Sequence, residues 1–310
     1  MRPAILIHGP TASGKTSVAI ELAKTLDGEI INADSMQVYR DLKVLSARPD
    51  PSEMQDVTHH MFGHVDAATR YSTGLWLEDA TQTIADVQRR GRLPIIAGGT
   101  GLYLLALTEG LSEIPPVPED IRADVRYILQ DQGIAGLYAR LQAADPAMAA
   151  DLSPNDRQRV SRAYEVWLAT GKSIRDFQGS RSRPVLAPGE WLGVALTPPR
   201  TRLYNRIDRR FETMMMHGGM EEARALVGRG LDPELPAMKA SGLPWLAAFI
   251  RGEMTAETAA DHAKRDTRRY AKRQFTWISR QFPFWPRIPA LSDAARKKVI
   301  FALYREIDPG

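Results

Sequence analysis

Residues Gly9-Pro10-Thr11-Ala12-Ser13-Gly14-Lys15-Thr16 fill the pattern G-x-x-x-x-G-K-[ST]. The apolar run Ala4-Ile5-Leu6-Ile7 precedes them and the helical run Ser17-Val18-Ala19-Ile20-Glu21-Leu22-Ala23-Lys24 follows. Strand, loop and helix in that order are the context in which the pattern means a phosphate-binding loop. The glycines let backbone N–H groups turn inward around phosphate oxygens, and the helix N-terminus adds partial positive charge. Lys15 neutralises a phosphate, and the Thr16 hydroxyl is a candidate ligand for Mg²⁺. A glycine-rich turn that only joins strand to helix is the plainer alternative, but it does not account for the complete pattern in this setting.

Two further strand-like runs end in polar residues, Glu29-Ile30-Ile31-Asn32-Ala33-Asp34-Ser35 and Leu93-Pro94-Ile95-Ile96-Ala97-Gly98-Gly99-Thr100-Gly101, and a helical pattern over residues 75–90 precedes the second. Alternating strands and helices predict an α/β fold with a mainly parallel sheet, in which ligands sit at the carboxyl ends of strands. Asp34 and Thr100 stand at such ends. A break at Ile114-Pro115-Pro116-Val117-Pro118 excludes a helix interior. The expected organisation is the first part of a phosphate-loop core over residues 1–116, a helical insertion over 117–187, and a return to the core over 188–310 that begins with the strand-like Trp191-Leu192-Gly193-Val194-Ala195-Leu196 and ends in a basic helical region.

The composition is that of a globular protein: 310 residues, 44% hydrophobic and 25% charged. No apolar run approaches the ~20 residues of a membrane span, and the N-terminus does not read as a signal peptide, so a cytoplasmic protein is expected; a monomer is expected separately. The absence of cysteine excludes disulfides and thiolate metal sites. His59, His60 and His64 lack the H-E-x-x-H arrangement and read as loop histidines, not zinc ligands. The net charge of +4 is modest, but the basic residues are concentrated late in the chain.

Asp34 has two chemical uses, as a Mg²⁺ ligand or as a general base beside a substrate, and a strand-terminating turn is its plainer reading. Gly98-Gly99-Thr100-Gly101 reads first as a tight turn, with Thr100 able to offer a hydroxyl to a ligand and Tyr103 a core residue. From His262 to Arg280, helical spacing places Ala271, Phe275, Ile278 and Phe282 on one face and Arg265, Arg269, Lys272, Arg273 and Arg280 on the other. Such a face is either solvated or a track for an RNA backbone. A second basic cluster, Arg157, Arg159 and Arg162, lies in the insertion.

Taken in order, these motifs resemble those of the bacterial tRNA dimethylallyltransferases. The resemblance rests on Gly9 to Thr16, Asp34-Ser35-Met36-Gln37-Val38-Tyr39, His59-His60, Gly98-Gly99-Thr100-Gly101-Leu102-Tyr103, Asn155-Asp156-Arg157-Gln158-Arg159, Leu203-Tyr204-Asn205-Arg206-Ile207 and Ala271-Lys272-Arg273-Gln274-Phe275-Thr276-Trp277. It departs at Tyr164, where the family has Leu, and at Ala240-Ser241-Gly242-Leu243-Pro244-Trp245, where an aromatic and a cation are missing. It implies transfer of a dimethylallyl group from dimethylallyl diphosphate to N6 of the adenosine 3′ of the anticodon, with Mg²⁺ present. It implies further that Gly9, Thr11, Ala12, Ser13, Gly14, Lys15 and Thr16 hold the diphosphate, with Arg206 or Arg210 closing over it. Asp34 would be the general base, with Thr100 beside the acceptor base. Ser35, Met36 and Gln37, Arg122, the run Gln158, Arg159, Val160, Ser161 and Arg162, and the region of Arg269, Lys272, Arg273 and Gln274 would contact the tRNA anticodon stem-loop. A small-molecule kinase and a nucleotide-gated RNA-binding protein are the rival readings of a phosphate loop among basic elements.

Overall fold

The computed structural model describes residues 2–289 and 292–308. Its strands are β1 (Ala4–His8), β2 (Gly28–Asn32), β3 (His59–His60), β4 (Leu93–Gly98), β5 (Trp191–Leu196) and β6 (Arg287–Ile288). They pair in parallel in the order β3-β2-β4-β1-β5-β6. Apolar residues face both sides because helices cover both faces of a parallel sheet. Leu6, Ile31 and Ile96 enter one core cluster, while Ile5, Ile7, Ile30 and Ile95 enter the other.

The helices, in chain order, are α1 (Lys15–Leu26), α2 (Pro51–Met54), α3 (Thr73–Arg89), α4 (Gly101–Glu109), α5 (Glu119–Asp131), α6 (Gly133–Ala144), α7 (Pro146–Ala150), α8 (Arg157–Thr170), α9 (Ile174–Gln178), α10 (Arg200–Met216), α11 (Gly219–Gly228), α12 (Leu243–Ile250), α13 (Ala256–Gln281) and α14 (Asp293–Ile307). Val18, Leu22 and Ala23 of α1 and Ile300 and Tyr304 of α14 fill one sheet face. Trp76, Ile84 and Val87 of α3 and Tyr103, Leu104 and Leu107 of α4 fill the other. Trp76 and Tyr103 stack with ring centroids 4.2 Å apart, which confirms Tyr103 as core. Helix α3 begins where Ser72 accepts the Leu75 N–H, and α13 where Thr255 accepts the Thr258 N–H; such caps contribute about 1 kcal/mol each.

Glu109–Pro184 form a separate compact unit, and the sheet with its helices forms the other. The boundary falls earlier than residue 117, and the unit ends before residue 187. The Ser182 N–H donates to the Leu111 carbonyl at 2.8 Å, and Glu109 pairs with Arg181, so the segment leading to the proline break is already tied to the unit's exit. Inside it, Val125 of α5, Leu137 and Leu141 of α6, and Val160, Ala163 and Tyr164 of α8 share one core. The Asp156 side chain caps α8 through the Arg159 N–H.

One local reading changes. His59 and His60 form the edge strand β3 instead of a loop, because Ile30 and Ile31 of β2 leave an edge for them to pair with. His60 also meets Glu29, which Arg90 binds as well.

Candidate active site

The strand order sets the site. In register, His8 at the end of β1 faces Gly98, and Asn32 at the end of β2 faces Ala97, so the three polar loops leave adjacent strands at one level. Because β4 lies between β2 and β1, Thr100 emerges between Asp34 and the phosphate loop.

The phosphate loop contains two left-handed residues, Ala12 at φ 62° and Gly14 at φ 88°. Glycine adopts this conformation freely, whereas alanine gives up roughly 1–2 kcal/mol, a strain maintained by the loop's neighbours. Lys15 Nζ donates to the carbonyls of Gly9 (2.8 Å) and Pro10 (3.0 Å). Burial lowers its pKa to about 8, an effect that the Asp34 carboxylate opposes and Arg210 reinforces. His8, fully buried under the loop, is kept neutral: burial first, then Lys15 and Arg287, lower its pKa to about 3.

Asp34 is placed by its neighbours along the chain. Its N–H donates to Asn32 Oδ1 at 2.9 Å, and its Oδ1 accepts the Met36 N–H at 2.9 Å. The other carboxylate oxygen remains on the side of Gly99. Thr100 Oγ1 accepts the Ser35 N–H at 2.9 Å, so the loops that follow β2 and β4 are joined one residue after Asp34. Tyr270 of α13 lies beside Thr100.

The glycines around Thr100 are required by close approach. A Cβ on Gly98 would collide with the Ala33 carbonyl, one on Gly99 with the Gln274 amide, and one on Gly101 with the Trp277 indole. Helix α13 therefore lies against this tract through Tyr270, Gln274 and Trp277, spaced along one face.

A cavity of about 580 Å³ opens over the phosphate loop, lined by residues 11–17, Asp34, Gln37, Arg206, Arg210 and Arg296 among others. Arg210 donates to Thr11 Oγ1 at 2.6 Å, while Arg206 is exposed at the same cavity. A small side pocket shares Thr11, Asp34, Ser46 and Arg210 with it and is otherwise walled largely by Met36, Leu45, Ile207, Phe211, Met214 and Ala240. The loop carrying Leu45 is held by Glu222 of α11, whose carboxylate accepts the N–H groups of Lys43, Val44 and Leu45 at 2.7–2.9 Å.

Sequence reasoning did not single out Tyr270 or Arg296, and it placed Trp277 in an RNA-contacting segment, whereas its indole packs against Gly101. Arg296 is 1% exposed and donates to the Ser13 carbonyl at 3.0 Å, holding the phosphate loop from α14. Nothing in the sequence separates it from the surface cations Lys297 and Lys298 except its position on the buried stripe with Ile300 and Tyr304.

Among the RNA-contacting candidates, Arg269, Lys272 and Arg273 are exposed on α13, as are Arg265 and Arg280, while Ala271 and Ile278 are buried. Two candidates are corrected. Gln274 is 4% exposed, with both ends of its amide bonded inside the protein, and so it faces the core. Val160 is fully buried in the core of the separate unit because α8 turns it inward between the exposed Gln158 and Arg159 and the partly buried Ser161 and Arg162. Arg122, on α5 of that unit, is partly buried and within electrostatic range of Arg162. Gln37 donates to the Ser46 and Ala47 carbonyls (3.1 and 3.0 Å) and lines the cavity.

Comparison with known proteins adds independent findings. The family model described as IPP transferase matches residues 37–281, and that described as Isopentenyl transferase matches residues 3–64. The tRNA dimethylallyltransferase of Hyphomonas neptunium is 65% identical over 308 residues, which are 99% of this chain and 98% of that protein. The tRNA dimethylallyltransferase of Phenylobacterium zucineum is 50% identical over 291 residues, 94% of each chain. Among solved structures, the tRNA isopentenylpyrophosphate transferase of Bacillus halodurans superposes with a TM-score of 0.70 at 33% identity, over 100% of this chain and 99% of that one. A eukaryotic dimethylallyltransferase acting on tRNA gives a TM-score of 0.79 at 26% identity, over 96% of this chain and 78% of its own.

Proposed function

The chain belongs to the IPP transferase family, and from that premise we propose that it transfers a dimethylallyl group from dimethylallyl diphosphate to N6 of the adenosine 3′ of the anticodon in tRNA, releasing diphosphate. The observation that carries this reading is the meeting of the phosphate loop, Asp34 and an apolar side pocket in one place. A diphosphate fits the cationic cavity, and a short branched hydrocarbon fits the pocket walled by Met36, Leu45, Ile207 and Phe211. Asp34 and Arg210 lie where the two join, which is where the allylic C–O bond breaks.

As that bond breaks, negative charge builds on the leaving diphosphate. Lys15, Arg206, Arg210 and the N-terminus of α1 are already arranged around the cavity and stabilise it. The exocyclic amine is a poor nucleophile because its lone pair is delocalised into the ring. Its proton passes to Asp34 as the C–N bond forms. Thr100, held by the Ser35 N–H with Tyr270 beside it, positions the acceptor base. An adenine stacked in an anticodon loop cannot reach this crevice, so it is flipped out.

Mg²⁺ suits the oxygen donors present, namely the exposed Thr16 hydroxyl and the oxygens of a bound diphosphate. Among the described residues no three His, Cys, Asp or Glu side chains form a metal cluster, and Thr16 together with the donor's phosphates would hold the ion. When bound, it supplies further neutralisation of the leaving group.

The tRNA itself is held by two sets of residues: the basic outer face of α13 through Arg269, Lys272 and Arg273, and in the separate unit Arg122 with Gln158, Arg159 and Arg162. Ser35, Met36 and Gln37 lie beside Asp34 and contact the flipped nucleotide. The protein acts as a cytoplasmic monomer; among the described residues no helix is long and apolar enough to cross a membrane.

The test supplies carbon-labelled dimethylallyl diphosphate and γ-labelled ATP in parallel with total tRNA. Carbon label in the tRNA, with digestion yielding an adenosine heavier by one dimethylallyl group in place of hydrogen, is the expected result. Release or transfer of the γ-phosphate with no carbon label in RNA would replace this reading by a kinase or an ATPase.

A further inference from the structure

Gln274 connects three parts of the protein that are remote in sequence. Its side-chain oxygen accepts the Thr11 N–H at 2.9 Å, and its amide nitrogen donates to the Gly99 carbonyl at 2.8 Å. The partners lie 263 and 175 residues away along the chain. One belongs to the phosphate loop and the other immediately precedes Thr100. At 4% exposure the amide is shielded from water, and both its functions are satisfied by the protein backbone.

Three facts make this bridge more than incidental packing. A Cβ on Gly99 would strike the Gln274 amide nitrogen, so the tract is shaped to admit this side chain. The adjoining turns of the same helix face place Tyr270 on Thr100 and Trp277 on Gly101. Finally, the Thr11 hydroxyl accepts a hydrogen bond from Arg210 at 2.6 Å, so the residue that Gln274 holds by its N–H also anchors a cavity-lining guanidinium. The direction of the amide is determined as well: the planar carboxamide offers its oxygen to an N–H and its nitrogen to a carbonyl, and glutamine carries that group one methylene further from the helix than asparagine would.

We propose that Gln274 is a positioning residue that sets the donor-binding loop against the acceptor-binding loop, coupling occupancy of the two substrate sites. The inference rests on the prenyl-transfer reading above. Displacement of Thr11 by a bound diphosphate reaches Gly99 and Thr100 through two hydrogen bonds, and adenine binding at Thr100 acts back on the donor loop by the same route. Such coupling is necessarily reciprocal in binding free energy. In the transfer step a small misplacement of the reacting atoms lowers the rate more than it lowers the affinity of either substrate.

The experiment compares wild type with Gln274→Met, which removes both bonds, and Gln274→Glu, which keeps the acceptor for Thr11 but opposes a carboxylate to the Gly99 carbonyl. Gly99→Ala perturbs the bridge from the other end. Three quantities are read in each protein: the tRNA affinity with and without inorganic diphosphate and Mg²⁺, the diphosphate affinity alone, and the single-turnover rate with both substrates saturating. In wild type, diphosphate should change tRNA affinity at least about fivefold. In the variants that ratio should fall toward one and the single-turnover rate should drop roughly 10- to 100-fold, while each ligand alone binds within about twofold of wild type.

A wild-type ratio of one, or variants that keep both the ratio and the rate, would overturn the inference. So would a variant that loses tRNA affinity alone but reacts normally at saturation, since Gln274 would then be an RNA contact. Unfolding of all three variants, seen as loss of the cooperative thermal transition, would reduce the bridge to a fold brace and equally overturn it. Failure of wild type to transfer the prenyl group would instead refute the proposed reaction.

Discussion

Raising the pH through the lysine of the phosphate loop perturbs the donor site with a magnitude that follows from its burial. Lys15 has its pKa lowered from 10.5 to about 8, chiefly by burial, with Asp34 opposing and Arg210 adding to the shift. At pH 7 about nine-tenths of the empty enzyme therefore carries the ammonium, and at pH 9 about one-tenth does. If the charged form binds the donor, kcat/KM for dimethylallyl diphosphate should fall about tenfold between pH 7 and 9, with a limiting slope of one decade per pH unit above about 8. Competing titrations do not obscure the limb: His8 is neutral throughout, and burial raises the phenols of Tyr103 and Tyr270 beyond their ordinary range. The assay is initial-rate kinetics at low donor and saturating tRNA from pH 6.5 to 9.5, repeated with Lys15→Arg, whose guanidinium stays charged. The limb should vanish in the arginine variant even if its absolute rate is low. A flat wild-type profile, or the same limb in Lys15→Arg, would refute the reasoning. The stability consequence has the opposite sign. Between about pH 8 and 10.5 the unfolded chain binds more protons at this lysine than the folded one, so the contribution of Lys15 to stability rises with pH over that window.

Three other outcomes are expected. Asp34→Asn keeps the acceptor for the Met36 N–H but cannot take the amine proton, so kcat should fall roughly 10²- to 10⁴-fold with tRNA affinity retained; near-normal kcat under chemistry-limited conditions would remove the general-base assignment. Replacing Arg269 and Lys272 together by Gln should weaken tRNA binding and shrink the log–log salt slope by about 1 for each phosphate left without its cation, and superimposable salt series would mean a merely solvated face. Gly98→Ala drives a methyl into the Ala33 carbonyl, which also accepts the Thr100 N–H, and should cost about 1–3 kcal/mol in urea denaturation together with activity; an unchanged midpoint would show that the backbone yields freely there.

What could be read from the sequence was whatever depends on neighbours along the chain. The phosphate loop is a local device: its glycines, its lysine and the helix that follows act within a few residues, and the structure places them as expected. The same holds for the outward basic face of α13, where Arg265, Arg269, Lys272, Arg273 and Arg280 are exposed because helical periodicity settles which side a residue takes. Phe275, assigned to the apolar face, is only partly buried against Leu203 and Ile207 of α10, while Gln274, assigned to the RNA, is the residue turned inward. Periodicity locates a face to within about one residue in either direction, and an amide carries no hydropathic signature that distinguishes a buried bridge from a surface contact.

The sequence by itself determined the α/β class, the glycine-rich turn between the first strand and the first helix, and the presence of Asp34 and Thr100 at strand ends. Only the tertiary structure decided that β4 enters the sheet between β2 and β1, bringing Thr100 between Asp34 and the loop. It also decided that Gln274 joins Thr11 to Gly99, that Arg296 holds Ser13 across 283 residues of chain, and that the separate unit begins at Glu109. The physical reason is range. Turn conformation, helix period and strand alternation arise from interactions between residues close along the chain, whereas strand order and the partners of a buried polar group follow from which packing satisfies all faces and all hydrogen bonds together.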